Sequence, residues 1–123
     1  MTKVKFMNYI IYAIAIILTL FILACARKPT VNYWDKINSA KFLIDVRTNE
    51  EFNSGHLENS LNIPYEQITQ KISELTQNKG DLIVLYCRSG RRSGIAKSNL
   101  DKLGYLNVVN AGGYDELIRS KPN

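Results

Sequence analysis

"DLIVLYCRSGRRSG", residues 81–94, decides the architecture. Leu82 to Tyr86 are apolar without a break and run straight into Cys87, the pattern of a strand covered on both faces. After a glycine-containing loop, Ile95, Ala96, Leu100 and Leu103 fall at helical spacing, and Gly104 closes the run. The order is therefore strand, cysteine, short loop, helix. A helix starting near Arg92 or Ser93 presents unpaired N–H groups and the positive end of its dipole to the loop. Gly90 and the small Ser89 let the backbone curl so that successive N–H groups point inward, an anion nest. Arg88, Arg91 and Arg92 add fixed positive charge. All three effects favour thiolate over thiol, so Cys87 is expected to titrate below a free cysteine. Two plainer readings stand beside this one: a small buried hydrophobe ending a strand, and a solvated charge run.

Outward from this unit, strands and helices alternate. "YWDKINSA" (33–40) suits a short opening helix, and "KFLIDVR" (41–47) a strand with an apolar centre. "TNEEFNSG" (48–55) reads as one helical turn begun by Thr48 or Asn49 and stopped at Gly55. "SLNIPY" (60–65) is extended, because Pro64 biases Ile63 away from helix. Tyr65, Ile68, Ile72 and Leu75 share a helical stripe in a unit ended by Gly80; "YLNVVN" (105–110) is a strand, and "AGG" turns into a last helical piece, "YDELIRS". Such alternation predicts an α/β fold, a central parallel sheet of four to five strands flanked by helices on both faces. Ligands of these sheets bind outside the carboxyl ends of the strands, which is where Cys87 falls.

Before this domain, Lys3 and Lys5 precede "YIIYAIAIILTLFILACA" (9–26), an almost unbroken apolar run. A positive flank followed by an apolar stretch is the secretory pattern. Three outcomes stay open. "ILAC" (22–25) resembles the lipobox of bacterial lipoproteins, with Cys25 as the lipidated residue. Ala24-Cys25-Ala26 fits a small-residue cleavage site. Uncleaved, the run is about long enough to span a bilayer. All three place the domain on the outer side of the cytoplasmic membrane, in the cell envelope. The organisation is thus a leader or anchor at 1–26, a linker at 27–33 and a domain at 34–123. Without Lys3 and Lys5 the rest of the chain carries 14 basic and 11 acidic side chains, a balance of only +3 with no basic stripe interleaved with aromatics; nucleic acid is not an expected partner. One cysteine in the leader and one in the domain exclude an internal disulfide framework, and Cys87 with His56 cannot supply a structural zinc site.

"LIDVRTNEEFNSGHLENSLNIP" (43–64), "YCRSGRRS" (86–93) and "NVVNAGGY" (107–114), in this order and spacing, resemble the rhodanese (thiosulfate sulfurtransferase) family, and most of all its small, secreted, single-domain phage-shock-type members. The resemblance implies a persulfide-forming cysteine at Cys87 and an active loop made of Arg88, Ser89, Gly90, Arg91 and Arg92. It implies a sulfane donor such as thiosulfate, an acceptor that is cyanide, a small thiol or a protein thiol, and no metal or organic cofactor. Related phosphatases place an arginine where this chain has Ser93, so the shorter cradle suits sulfur rather than phosphate. A carrier that hands persulfide to a partner is the main alternative, and a phosphatase-like anion site a lesser one. Asp45 and Arg47 are expected beside the site in supporting roles, with Arg47 bridging acids such as Glu51. His56 belongs to a structural corner. Asn59-Ser60 stands where the family usually has Gly-Ala; asparagine tolerates a left-handed backbone, so the turn is expected to survive. Gly112 and Gly113 are expected in a tight turn behind the site, and Tyr65 and Tyr114 at its rim.

Overall fold

Alternate residues of the Cys87 strand face opposite layers of helices. In the computed structural model, which describes residues 2–25 and 31–123, the chain divides into two units, Met1–Val31 and Asn32–Asn123. The first contains helix α1 (Thr2–Cys25). Its stretch Thr2–Ala24 has a mean hydropathy of 2.4 and none of it is buried. At 1.5 Å per residue, such a helix is about as long as a bilayer's hydrocarbon core is thick. A cleaved leader has the same character, so α1 is compatible with a signal sequence or an anchor. The side chain of Cys25 and residues 26–30 lie outside the described residues, and with them the expected lipidation site, the cleavage site and most of the linker.

The second unit runs α2 (Trp34–Ser39), β1 (Phe42–Asp45), α3 (Asn49–Asn53), β2 (Leu61–Asn62), a 3-10 turn (Tyr65–Gln67), α4 (Ile68–Leu75), β3 (Ile83–Cys87), α5 (Arg91–Lys102), β4 (Val108–Gly113) and α6 (Tyr114–Arg119). The strands form one four-stranded sheet in the order β2-β1-β3-β4, with every pair parallel. On one face Ile83, Leu85 and Cys87 join Ile44 and Val46 against Ile68 and Ile72 of α4 and Ala96 and Leu100 of α5. On the other, Val84 and Tyr86 join Leu43 against Trp34 and Ile37 of α2 and Leu117 of α6. This two-sided burial is what the unbroken apolar run 82–86 requires, and the expected α/β sandwich is the one observed.

Local signals hold up well at the turns. Thr48 caps α3 in a full capping box with Glu51. Asn59 adopts φ +63, the left-handed conformation its residue type allows. Two expectations shift. The buried face of α5 is Ser93, Ala96 and Leu100, while Ile95 and Leu103 are 39% and 44% exposed. The helix is rotated so that its first turn directs a serine rather than an isoleucine at the sheet.

The last strand starts at Val108 and continues through both glycines to Gly113, instead of spanning 105–110 and then turning. A register shift between Leu85 and Cys87 sets Gly113 opposite Cys87. Glycine is needed there: a Cβ on Gly113 would lie 2.6 Å from the Arg88 carbonyl oxygen. Gly113→Ala is therefore expected to cost about 1–3 kcal/mol, as overpacking does, read as a lower urea midpoint. An unchanged midpoint would show that the Arg88 backbone gives way freely.

Candidate active site

Cys87 is the last residue of β3 and is completely buried on the α5 side of the sheet. Gly90 turns the loop: at φ +91 it occupies the left-handed region and acts as the N-cap of α5. The Gly90 N–H donates to Cys87 Sγ at 3.0 Å, and the Ser93 hydroxyl lies 3.4 Å from the same sulfur. Burial works against ionisation of Cys87, yet the Ser93 hydroxyl and the backbone N–H groups of Ser93, Ser89 and Gly90 outweigh it, so the thiol titrates below its ordinary value. The shift anticipated from the sequence is present, although its leading favourable contribution comes from the Ser93 hydroxyl, of a residue read there as a helix start and an absent arginine and not as a donor to the sulfur.

The three arginines separate into different environments. Arg92 forms a fork with Glu51, Nη1 to Oε2 at 2.8 Å and Nη2 to Oε1 at 2.9 Å. Glu51 Oε2 also accepts from the Thr48 N–H, closing the capping box of α3. The carboxylate is thus held from two sides and fixes Arg92 near the sulfur. The Glu51 bond, resisted by partial burial and helped by attraction to Cys87, raises the guanidinium above its usual value. Arg88 and Arg91 are exposed, and among the described residues neither has a carboxylate partner. Ser89 is exposed as well. Arg88 lines a cleft of about 250 Å³ together with Arg47, Glu51, Ser54, Tyr114 and Asp115. Tyr114 is therefore at a cleft beside the loop, whereas Tyr65 packs against the α4-side core.

The Arg92 bond depresses the Glu51 carboxyl from 4.5 to about 2. A folded-state value below the unfolded one means that stability from this pair is complete above the unfolded pKa and disappears as pH falls through the folded one. The stability difference between the native chain and Glu51→Gln is accordingly expected to be constant above pH 4.5 and to vanish toward about pH 2. Urea midpoints across that range read it directly. A difference that stays level down to pH 2 would mean that the pair contributes nothing.

Arg47 bridges Asp45, not Glu51. Its Nε lies 2.9 Å from both Asp45 carboxylate oxygens and its Nη2 2.6 Å from Oδ2, while the Arg47 backbone N–H donates to Oδ1 at 2.9 Å. Nη2 also donates to the Gly55 carbonyl at 2.6 Å, and the guanidinium carbon sits 4.5 Å from the Tyr114 ring centroid. Burial opposes the charge on Arg47, but the Asp45 bond prevails and its pKa is raised. Asp45 and Arg47 thus tie the end of β1 to the corner after α3. His56 belongs to that corner: its Nδ1 donates to the Phe52 carbonyl at 2.8 Å and its ring stacks on Phe52 at 3.7 Å.

One contributor was missed altogether. Asn110 of β4 accepts from the Ser93 hydroxyl at 2.7 Å and from the Gly112 N–H at 3.0 Å, and donates to the Gly90 carbonyl at 2.9 Å. The available signal was a polar residue inside an otherwise apolar parallel strand, which needs a partner when covered on both faces.

A buried cysteine that meets the Gly90 N–H and the Ser93 hydroxyl at the carboxyl edge of a parallel sheet defines a cysteine-centred α/β domain. Among known families, the profile of the rhodanese-like domain matches residues 31–120, and the chain belongs to this family. The thiosulfate sulfurtransferase PspE of Escherichia coli (strain K12) is 36% identical over 83 residues, covering 68% of this chain and 80% of that one. Among solved structures, a rhodanese with anions from E. coli matches with a TM-score of 0.59 at 37% identity over 61% of this chain and 88% of the other. The human single-domain sulfurtransferase TSTD1 matches with a TM-score of 0.63 at 26% identity, covering 78% of this chain and all, 100%, of that one.

Proposed function

We propose that the domain is a thiosulfate sulfurtransferase of the cell envelope in which Cys87 carries the sulfane sulfur. The observation behind this reading is the Gly90 N–H placed 3.0 Å from a buried Cys87 sulfur, within a loop that lowers the thiol's pKa. In the first half-reaction the thiolate attacks the outer sulfur of thiosulfate. The S–S bond of the donor breaks, its electron pair leaves with sulfite, and the enzyme holds Cys–S–S⁻. In the second, cyanide or a thiolate attacks that outer sulfur and returns Cys87 as thiolate. No net proton or electron enters from outside, and the two steps predict ping-pong kinetics.

The loop N–H groups stabilise the anionic sulfur in both states. With Arg92 partly neutralised by Glu51, the exposed Arg88 and Arg91 are the cations left for the sulfonate oxygens. Residues 1–26 serve as leader or anchor, 27–33 as linker and 34–123 as the catalytic domain; α1, long and apolar enough to cross a membrane, supports the envelope location.

Purified full-length chain, incubated with thiosulfate and cyanide, is expected to form thiocyanate with parallel lines in double-reciprocal plots. A one-sulfur mass gain without turnover would replace this reading by a persulfide carrier. Neither mass gain nor turnover would remove sulfur transfer from thiosulfate, and release of phosphate from aryl phosphates would favour a phosphatase-like site.

A further inference from the structure

The Ser93 hydroxyl has one proton and two acceptors within reach. It lies 2.7 Å from Asn110 Oδ1 and 3.4 Å from Cys87 Sγ, and it cannot donate to both at once. Ser93 is completely buried, so water does not relieve the conflict. Which acceptor takes the proton depends on the charge of the sulfur. When Cys87 is a thiol, its S–H donates to Ser93 Oγ while the hydroxyl proton points to Asn110. When Cys87 is a thiolate, the sulfur becomes the stronger acceptor and the hydroxyl turns to it. Asn110 Oδ1 is not orphaned by the turn, because the Gly112 N–H remains on it at 3.0 Å. The Gly90 N–H also donates to the sulfur, at 3.0 Å.

We propose that Ser93 is a catalytic residue acting as the proton switch of the sulfur site, and that Asn110 is the positioning residue that parks its proton while Cys87 is a thiol. The inference deepens the reading of Cys87 as sulfur nucleophile and rests on it for its consequence: a thiolate regenerated after each transfer finds a donor already one bond rotation away. Proton accounting is closed. The thiol proton leaves to solvent on ionisation, and the serine proton changes acceptor without leaving its oxygen. The charged group acting on Cys87 is Arg92 from α5, backed by Glu51 from α3. The Asp45–Arg47 pair belongs to the end of β1, where Asp45 alternates with the α5-side residues Ile44 and Val46.

The test is the pH profile of Cys87 alkylation by iodoacetamide, on full-length chain without thiosulfate, so that it stands whether or not sulfur is transferred. Ser93→Ala is expected to raise the midpoint by about one pH unit, a roughly tenfold rate loss below the midpoint, the size of one hydrogen bond to a charged group. Ser93→Thr is expected to restore it. Asn110→Ala, which removes the competing acceptor, is expected to lower the midpoint when Ser93 is present and to leave it unmoved in the Ser93→Ala background. An unshifted midpoint in Ser93→Ala overturns the proposal. So does an Asn110→Ala shift that is upward and equal in both backgrounds, since that is the mark of a loosened loop.

Discussion

Cys87→Ser is expected to reduce thiocyanate formation to the level of buffer, a loss of at least about a thousandfold, because the residue removed is the proposed nucleophile. The substitution isolates chemistry from packing. Serine is smaller, keeps the backbone of the loop, and leaves the Gly90 N–H and the Ser93 hydroxyl with an oxygen to meet in place of the sulfur they meet now. What it loses is acidity: no arrangement of N–H donors brings a hydroxyl into the range where a thiol already ionises. Intact mass after thiosulfate treatment gives a second reading. The native chain is expected to gain about 32 Da, one sulfur as persulfide, and the variant nothing. Native-like turnover in Cys87→Ser, with the fold verified by circular dichroism, would show that the sulfur passes elsewhere.

Arg47→Ala is expected to have the largest effect on stability. Asp45 is completely buried, and Arg47 supplies three of its hydrogen-bond contacts through the side chain and one through the backbone. Removing the guanidinium strands a carboxylate in the interior, which costs about 3–5 kcal/mol. For a domain of this size that lowers the melting temperature on the order of 15 °C or more. The Gly55 carbonyl also loses its donor and Tyr114 its cation, so the corner after α3 should loosen first. The double variant Asp45→Leu/Arg47→Met is expected to recover a good part of the loss, because a buried pair exchanged for apolar groups of similar volume is often neutral. If Arg47→Ala melts within a few degrees of the native chain, the pair is not what secures the end of β1.

The two arginine pairs also show where reading along the chain stops. Arg47 and Arg92 both face the neighbourhood of Glu51, and charge alone allows either to bind it. The choice is geometric. Asp45 is two residues from Arg47 and on the same strand end, so it captures that guanidinium at short range. Glu51 is then free for an arginine 41 positions away, brought within reach because α3 and the start of α5 meet at the carboxyl edge of the sheet. The same holds for Ser93. The sequence places it at a helix start without a buried partner, and the apolar stripe points to Ile95 and Leu103, which are partly exposed. Its burial follows from the rotation of α5 about its axis, beside a close approach in which a Cβ on Gly90 would stand 3.3 Å from the Gly112 Cα.

Local features carry their own information and could be read directly. The apolar run into Cys87, the left-handed Gly90, the Thr48 capping box and the Asn59 turn each depend on a few consecutive residues, and from them alone the α/β sheet, the cysteine's place at its carboxyl edge and its lowered pKa follow. The groups that hold the cysteine loop in place from other elements were decided only by tertiary structure. Gly113 lies against the Arg88 carbonyl, the shifted register of β4 accompanies that contact, and Asn110 of the same strand reaches Ser93 and Gly90. Hydrogen bonds and charges act through space at a few ångströms, and residues 17 or 41 positions apart acquire such distances only when the whole sheet has closed.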